Sequence, residues 1–144
     1  MIDKKGRLLL LSGMIVNDKK EILLLYRKDH HHFETPGGKL EQTDCKNPEK
    51  ITLDDFVRAV KREVAEELGN IVIEEPKLSL STEFKIPDGR PAIVYKFLTK
   101  LVSGKPEIQE KELFSRFEWI PIKNIKEFPV APDLKILAEK LRHI

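Results

Sequence analysis

The octapeptide Arg62-Glu63-Val64-Ala65-Glu66-Glu67-Leu68-Gly69 carries three glutamates and an apolar pair that an α-helix sorts onto separate faces. At about 100° per residue, Glu63, Glu66 and Glu67 stand i, i+3 and i+4 and share one side. Val57, Val60, Val64 and Leu68 form an adjoining apolar stripe able to seat such a helix on a sheet. Like charges at this spacing oppose the helix by only about 0.2–0.5 kcal/mol per pair, so repulsion alone does not demand a cation. Three convergent carboxylates nonetheless suit a hard divalent ion, which would neutralise them. A solvated acidic face is the plain alternative, and the octapeptide by itself leaves both readings open.

The limits of the helix are written in its flanks. Thr52 is placed to cap it, with Asp55 three residues on in an aspartate variant of the capping box. Ile51 and Phe56 stand at the positions of a hydrophobic staple, and Gly69 takes a left-handed terminal conformation without a Cβ penalty. These signals predict a helix over Leu53–Leu68. Upstream, Phe33-Glu34-Thr35 reads as a short extended piece that Pro36-Gly37-Gly38 breaks as a turn. Two glycines let backbone approach a ligand closely, and Lys39 beside them offers a cation to phosphate oxygens. A Gly-Gly turn alone says little. Paired with a carboxylate helix, it points to a phosphate site.

Elsewhere the pattern is mostly β. Arg7–Val16 and Glu21–Arg27 read as strands around a polar turn at residues 17–20, and residues 28–32 as a polar loop. Val72–Lys85 and Pro91–Val102 flank the hairpin turn Pro87-Asp88-Gly89-Arg90, and Phe114–Ile120 gives a further strand. Leu134, Leu137, Ala138 and Leu141 recur at helical spacing, which predicts a closing helix over Pro132–Leu141. The expected class is α/β, a mixed sheet with helices on both faces, in one domain over residues 1–144.

Composition narrows the function. Lys plus Arg total 26 against 24 acidic residues, a formal charge of +2, which gives no reason to expect a nucleic-acid or membrane partner. The longest apolar run, Leu8–Leu11, is far short of the roughly 20 residues a bilayer requires. Cys45 is the only cysteine, so no intrachain disulfide can form, and a cytoplasmic, reducing location is the natural expectation. No His or Asp arrangement surrounds Cys45, so it does not read as a nucleophile.

Gly38 followed by residues 62–69 resembles the Nudix box, G-x5-E-x7-R-E-U-x-E-E-x-G-U with U a bulky aliphatic residue. The run Phe33–Lys39 resembles the usual approach to that box, and residues 118–121 with Phe128-Pro129 resemble the family's closing segment. The resemblance spans nearly the whole chain and lies nearest the MutT-related branch. It implies a Nudix α/β/α sandwich and a Mg²⁺-dependent hydrolase, with Mn²⁺ as a second candidate ion. Glu63, Glu66 and Glu67 would hold the metal together with the backbone carbonyl of Gly37, and Arg62 would position the glutamates. Glu63 would also orient or deprotonate the attacking water. Lys39, with Gly38, would meet the substrate phosphates. Many relatives add an acidic residue from a loop over the metals; Glu112 is the candidate here, with Glu110 nearby and surface charge as the plain alternative.

Three departures stand out. The box places its arginine 14 residues after the glycine, whereas Arg62 lies 24 after Gly38 (62 − 38), an insertion of ten. Counting forward from Gly38 puts the first acidic position at Asp44, and counting back from Arg62 puts it at Asp54. The closing aliphatic position is Asn70, with Ile71 next. The insert, about Gln42 to Ile51, is polar and reads as an exposed, mobile loop.

His30-His31-His32 suggests substrate contact before metal binding, because adjacent residues rarely converge on one ion. Trp119 reads as core, and Pro87 as part of its turn. The expected substrate is a nucleoside triphosphate or a related nucleoside diphosphate derivative, cleaved to a nucleoside monophosphate. An ADP-ribose or nucleotide-sugar pyrophosphatase is the alternative within the enzyme class. A non-catalytic nucleotide-sensing module is the alternative outside it, and all three helix glutamates argue against that. Ala131-Pro132-Asp133 offers no asparagine where the MutT-related branch reads its base, which argues against oxidised-guanine selectivity. The partner is a small-molecule nucleotide; a homodimer is compatible with the sequence.

Overall fold

The alternation of apolar residues in the first two strands sets the architecture, because both of their faces are covered. A computed structural model describes residues 1–144. Strands β1 (Leu8–Val16) and β2 (Glu21–Arg27) alternate between two separate cores. Leu9, Leu11, Ile15, Leu23 and Leu25 join Phe56, Val57, Val60, Val64 and Leu68 of helix α1 (Leu53–Leu68). Met14, Val16, Ile22 and Leu24 join Leu134, Leu137, Ala138 and Leu141 of helix α2 (Pro132–Leu141). A strand buried on both faces reads as an unbroken apolar run, which is how Leu8–Leu11 and Ile22–Leu25 appear in the sequence.

The remaining strands are β3 (His32–Glu34), β4 (Gly37–Lys39), β5 (Val72–Ile73), β6 (Lys77–Lys85), β7 (Pro91–Ser103) and β8 (Phe114–Pro121). Together the eight form one mixed sheet. β1 runs parallel to β7, from Leu8 opposite Ala92 to Val16 opposite Lys100. Every other pairing is antiparallel. The sheet lies between α1 and α2, so the chain is a mixed α/β sandwich, as expected. No helix is long and apolar enough to cross a membrane.

Both helices occupy the residues that their sequence signals mark. Thr52 accepts from the Asp55 amide while the Asp55 carboxylate accepts from Thr52, completing the capping box. Gly69 ends α1 at φ +82, a backbone region that favours glycine. A Cβ there would also meet the Gln109 side chain at 2.7 Å. Ile71 packs on the core at the end of the box, taking the apolar part that exposed Asn70 does not.

Three expectations are corrected. Pro36-Gly37-Gly38 is not a turn: Gly37–Lys39 form β4, paired with Leu10–Ser12 of β1. The stretch Val72–Lys85 is two strands, β5 and β6, separated by residues 74–76. The insert is not a wholly exposed loop. Its first part, Gln42–Asp44, is a 3₁₀ turn that buries Asp44, whereas Lys46 to Lys50 are exposed. Replacing residues 46–50 with a Gly-Ser segment of equal length should therefore change unfolding free energy by less than about 1 kcal/mol. Urea denaturation checks this, and a larger loss would show that the exposed part is structural as well.

Candidate active site

Helix α1 can bring its glutamates against β4 because β4 has almost no side chains. A Cβ on Gly37 would lie 2.1 Å from the Leu11 carbonyl oxygen, so only glycine lets β4 approach β1 this closely. A Cβ on Gly38 would lie 2.5 Å from Glu63 Oε1, so the carboxylate fills the place of a side chain. The Gly37 amide donates to Glu67 Oε2 at 3.1 Å. The contact seen between Gly37 and the helix thus runs through its N–H. Glu63 and Glu67 are buried, and Glu66 is half exposed.

Arg62 ties the group together. Its Nε and second Nη donate to Asp44 Oδ1 and Oδ2, each at 2.9 Å, a two-point fork on a carboxylate that is 5% exposed. The other Nη donates to Glu63 at 3.0 Å and Glu66 at 3.3 Å. A further bond reaches the Lys39 carbonyl at 3.2 Å. Asp44, counted forward from Gly38, is therefore the acidic partner of the arginine; Asp54 is exposed. The inserted residues follow Asp44 and leave this contact intact.

Electrostatics set Glu67 apart. Burial, then the like charges of Glu63 and Glu34, push its carboxyl up to about 10 despite the Gly37 amide. Burial also raises Glu63, with the Arg62 charge opposing and Glu66 and Glu110 adding to the rise. For Asp44, burial acts upward too, but the Arg62 fork, the Glu41 amide and the charges of Arg62 and Arg58 outweigh it, and the carboxyl lies below its ordinary value. Glu63 has the Arg62 guanidinium as a partner, but buried Glu67 has a single amide donor and no cation beside it. This donor set fits a hard divalent cation.

The acidic loop is placed by the end of α1. Glu107 and Gln109 amides donate to the Leu68 and Glu67 carbonyls at 2.9 and 3.0 Å. That stitch brings Glu110 into the field of Glu63 and Glu67, while Glu112, two residues on, is exposed.

A cavity of about 300 Å³ reaches this site at Gly37, Gly38 and Lys39. Lys39 is exposed and forms no ion pair. The cavity walls are mainly Leu8, Leu10, Val94, Phe84 and Ile86, with Pro87 of the hairpin turn. Ser12, Thr35 and Asp133 line it as well, and all three hold the buried ammonium of Lys96, at 3.0, 2.8 and 2.8 Å. Sequence reading missed this network. The available signal was a single lysine inside the apolar strand Ile93-Val94-Tyr95-Lys96-Phe97-Leu98. Trp119 is half buried against the core.

A carboxylate helix pressed on a glycine strand, inside a two-helix mixed sandwich and beside a cavity of about 300 Å³, is the arrangement that the resemblance to Nudix hydrolases implies. The sequence matches the family described as NUDIX domain over residues 9–141, and the chain belongs to that family of hydrolases acting on diphosphate-linked substrates. Among solved structures, the MutT NUDIX hydrolase from Burkholderia pseudomallei shares 25% identity at TM-score 0.73, over 92% of this chain and 96% of that one. The MutT protein from Methanosarcina mazei Go1 shares 20% at TM-score 0.71, over 98% and 96%. The NUDIX domain of Shewanella oneidensis NrtR, complexed with ADP ribose, shares 21% at TM-score 0.68, over 98% and 92%. The latter two carry the fold alone. No curated protein matches the sequence.

The raised Glu67 carboxyl has a consequence for stability. Its folded value of about 10 exceeds the ordinary 4.5, so the folded state holds the proton more tightly. The associated stabilisation is complete below about pH 4.5 and is lost as pH climbs towards 10. Thermal unfolding in a chelator should fall through that window, and saturating Mg²⁺ should flatten the fall. A melting temperature independent of pH, or unmoved by Mg²⁺, would contradict the assignment.

Proposed function

We propose that the protein is a Mg²⁺-dependent pyrophosphohydrolase of nucleoside triphosphates or related nucleoside diphosphate derivatives, releasing a nucleoside monophosphate. The observation that carries this reading is the meeting of Glu63 and Glu67 with the Gly37–Gly38 strand, which lines the cavity, with Glu66 joined to Glu63 through Arg62. Glu63, Glu66 and Glu67, with backbone at Gly37, would hold Mg²⁺ or Mn²⁺, and Glu112 or its neighbour Glu110 would add acidic charge from the loop before β8. When bound, the cation supplies charge neutralisation at the phosphates and activation of water.

The chain's own residues supply the rest. Arg62 fixes the orientation of Glu63 and Glu66 through the same guanidinium that grips Asp44. Glu63, its carboxyl raised by burial against the opposing Arg62 charge, is the residue we assign to accept a proton from the attacking water. Lys39, free of ion pairs, and the close backbone of Gly38 meet the phosphate oxygens. The apolar walls enclose the nucleoside part, and the Lys96–Asp133 network presents polar atoms to it. We read the location as cytoplasmic, in keeping with one free cysteine, and the partner as a small-molecule nucleotide.

ADP-ribose or a nucleotide sugar is the second substrate reading. It draws support from the likeness to the Shewanella oneidensis domain whose structure holds ADP ribose. The test is a panel of canonical and oxidised nucleoside triphosphates, ADP-ribose, nucleotide sugars and dinucleoside polyphosphates, with Mg²⁺ and chromatographic analysis of products. A nucleoside monophosphate plus pyrophosphate is expected from at least one triphosphate; a monophosphate plus a sugar phosphate selects the second reading. Glu67→Gln should lower turnover at least a hundredfold while leaving the fold intact. Tight binding without cleavage of any member would instead make the protein a sensor.

A further inference from the structure

We propose that His30, His32 and Glu34 form a second cation site, for a zinc-class transition ion, at the mouth of the same cavity. The site goes beyond the hydrolase reading and does not use the α1 carboxylates.

One donor atom from each of the three residues lies within 4.8 Å of the others. His32 Nε2 and Glu34 Oε2 are 3.1 Å apart. Two donors about 2.0–2.1 Å from a tetrahedral Zn²⁺ stand roughly 3.4 Å from each other, so this pair is already spaced to share an ion. The backbone makes the convergence. His32 and Glu34 are two apart on β3 and share a face. His31 sits at φ +52, and this left-handed residue folds the chain so that the His30 ring lies 5.2 Å from that of His32. Adjacent histidines do not converge here; alternate ones do.

The strand that presents them is held firmly. Arg27 pairs with His32 and Leu25 with Glu34 across β2, and the Phe33 amide donates to the Pro129 carbonyl at 2.7 Å. Arg27 donates to Glu34 Oε1 at 3.4 Å, which leaves Oε2 towards His32, and is itself held by Asp29 at 2.9 Å. Asp29 lies 3.7 Å from His30 Nε2. Outer partners of this kind orient metal ligands.

Two imidazoles and one carboxylate favour Zn²⁺ and its neighbours over Mg²⁺, whereas the all-oxygen set on α1 has the opposite preference. His30, His32 and Glu34 all line the cavity that ends at Gly37–Lys39. A three-ligand ion there keeps a coordination position open to the cavity, within reach of an oxygen of bound nucleotide.

The test is zinc titration of metal-free protein by calorimetry in millimolar Mg²⁺, with Co²⁺ absorption as a readout of ligand geometry. One equivalent of Zn²⁺ should bind. His30→Ala and His32→Ala should each weaken it at least tenfold, and the double variant should abolish it. His31→Ala and Glu67→Gln should leave it unchanged. His30 is exposed, so its variant decides the matter even where His32→Ala unfolds. Zinc retained by His30→Ala, zinc lost in Glu67→Gln, or no zinc bound over Mg²⁺ would each overturn the proposal.

Discussion

The fork from Arg62 to Asp44 joins the two halves of the site. Asp44 ends the segment that leaves β4, and Arg62 stands on α1, so one pair of hydrogen bonds at 2.9 Å fixes the strand's exit against the helix. Asp44 is buried, and a buried carboxylate robbed of its partner costs about 3–5 kcal/mol. Arg62 is partly exposed, which places this pair near the lower end of that range. The same guanidinium directs its remaining donors to Glu63, Glu66 and the Lys39 carbonyl. Stability and site geometry therefore depend on one side chain.

What the fork holds together is unfavourable by itself. Glu67 is buried beside Glu63, with a single amide from Gly37 to offset it. Two glycines remove the side chains that would otherwise hold helix and strand apart, and the glutamates enter that space. The sheet offsets the cost of burying these charges by packing a full core on each face, one under each helix. A site deficient in positive charge on a rigid frame is what a diphosphate hydrolase needs before its cation and substrate arrive.

Local signals in the sequence suffice where a few neighbouring residues determine the outcome. Thr52, Asp55 and Gly69 bound α1 at the expected residues, and Pro132 with the Leu134–Leu141 spacing does the same for α2. Long-range contacts are harder to read. Gly37-Gly38 has turn chemistry locally, but pairing with β1 makes it a strand. Asp44 reads as part of a polar loop because its partner lies 18 residues away. Lys96 reads as one polar residue in a strand, and its three partners come from β1, the segment after β3, and α2. His30 and His32 read as neighbours in a loop, and only the left-handed His31 brings them side by side.

The central claim is that Arg62, held by Asp44, arranges the glutamates for a divalent cation. A double-mutant cycle on Mn²⁺ affinity, measured by calorimetry for Asp44→Asn, Arg62→Lys and the pair, tests it whichever nucleotide is the substrate. Each single change should weaken binding at least tenfold with the protein still folded, and the double variant should be no worse than the poorer single one. Losses that simply add, or affinity unchanged in Asp44→Asn, would contradict the account.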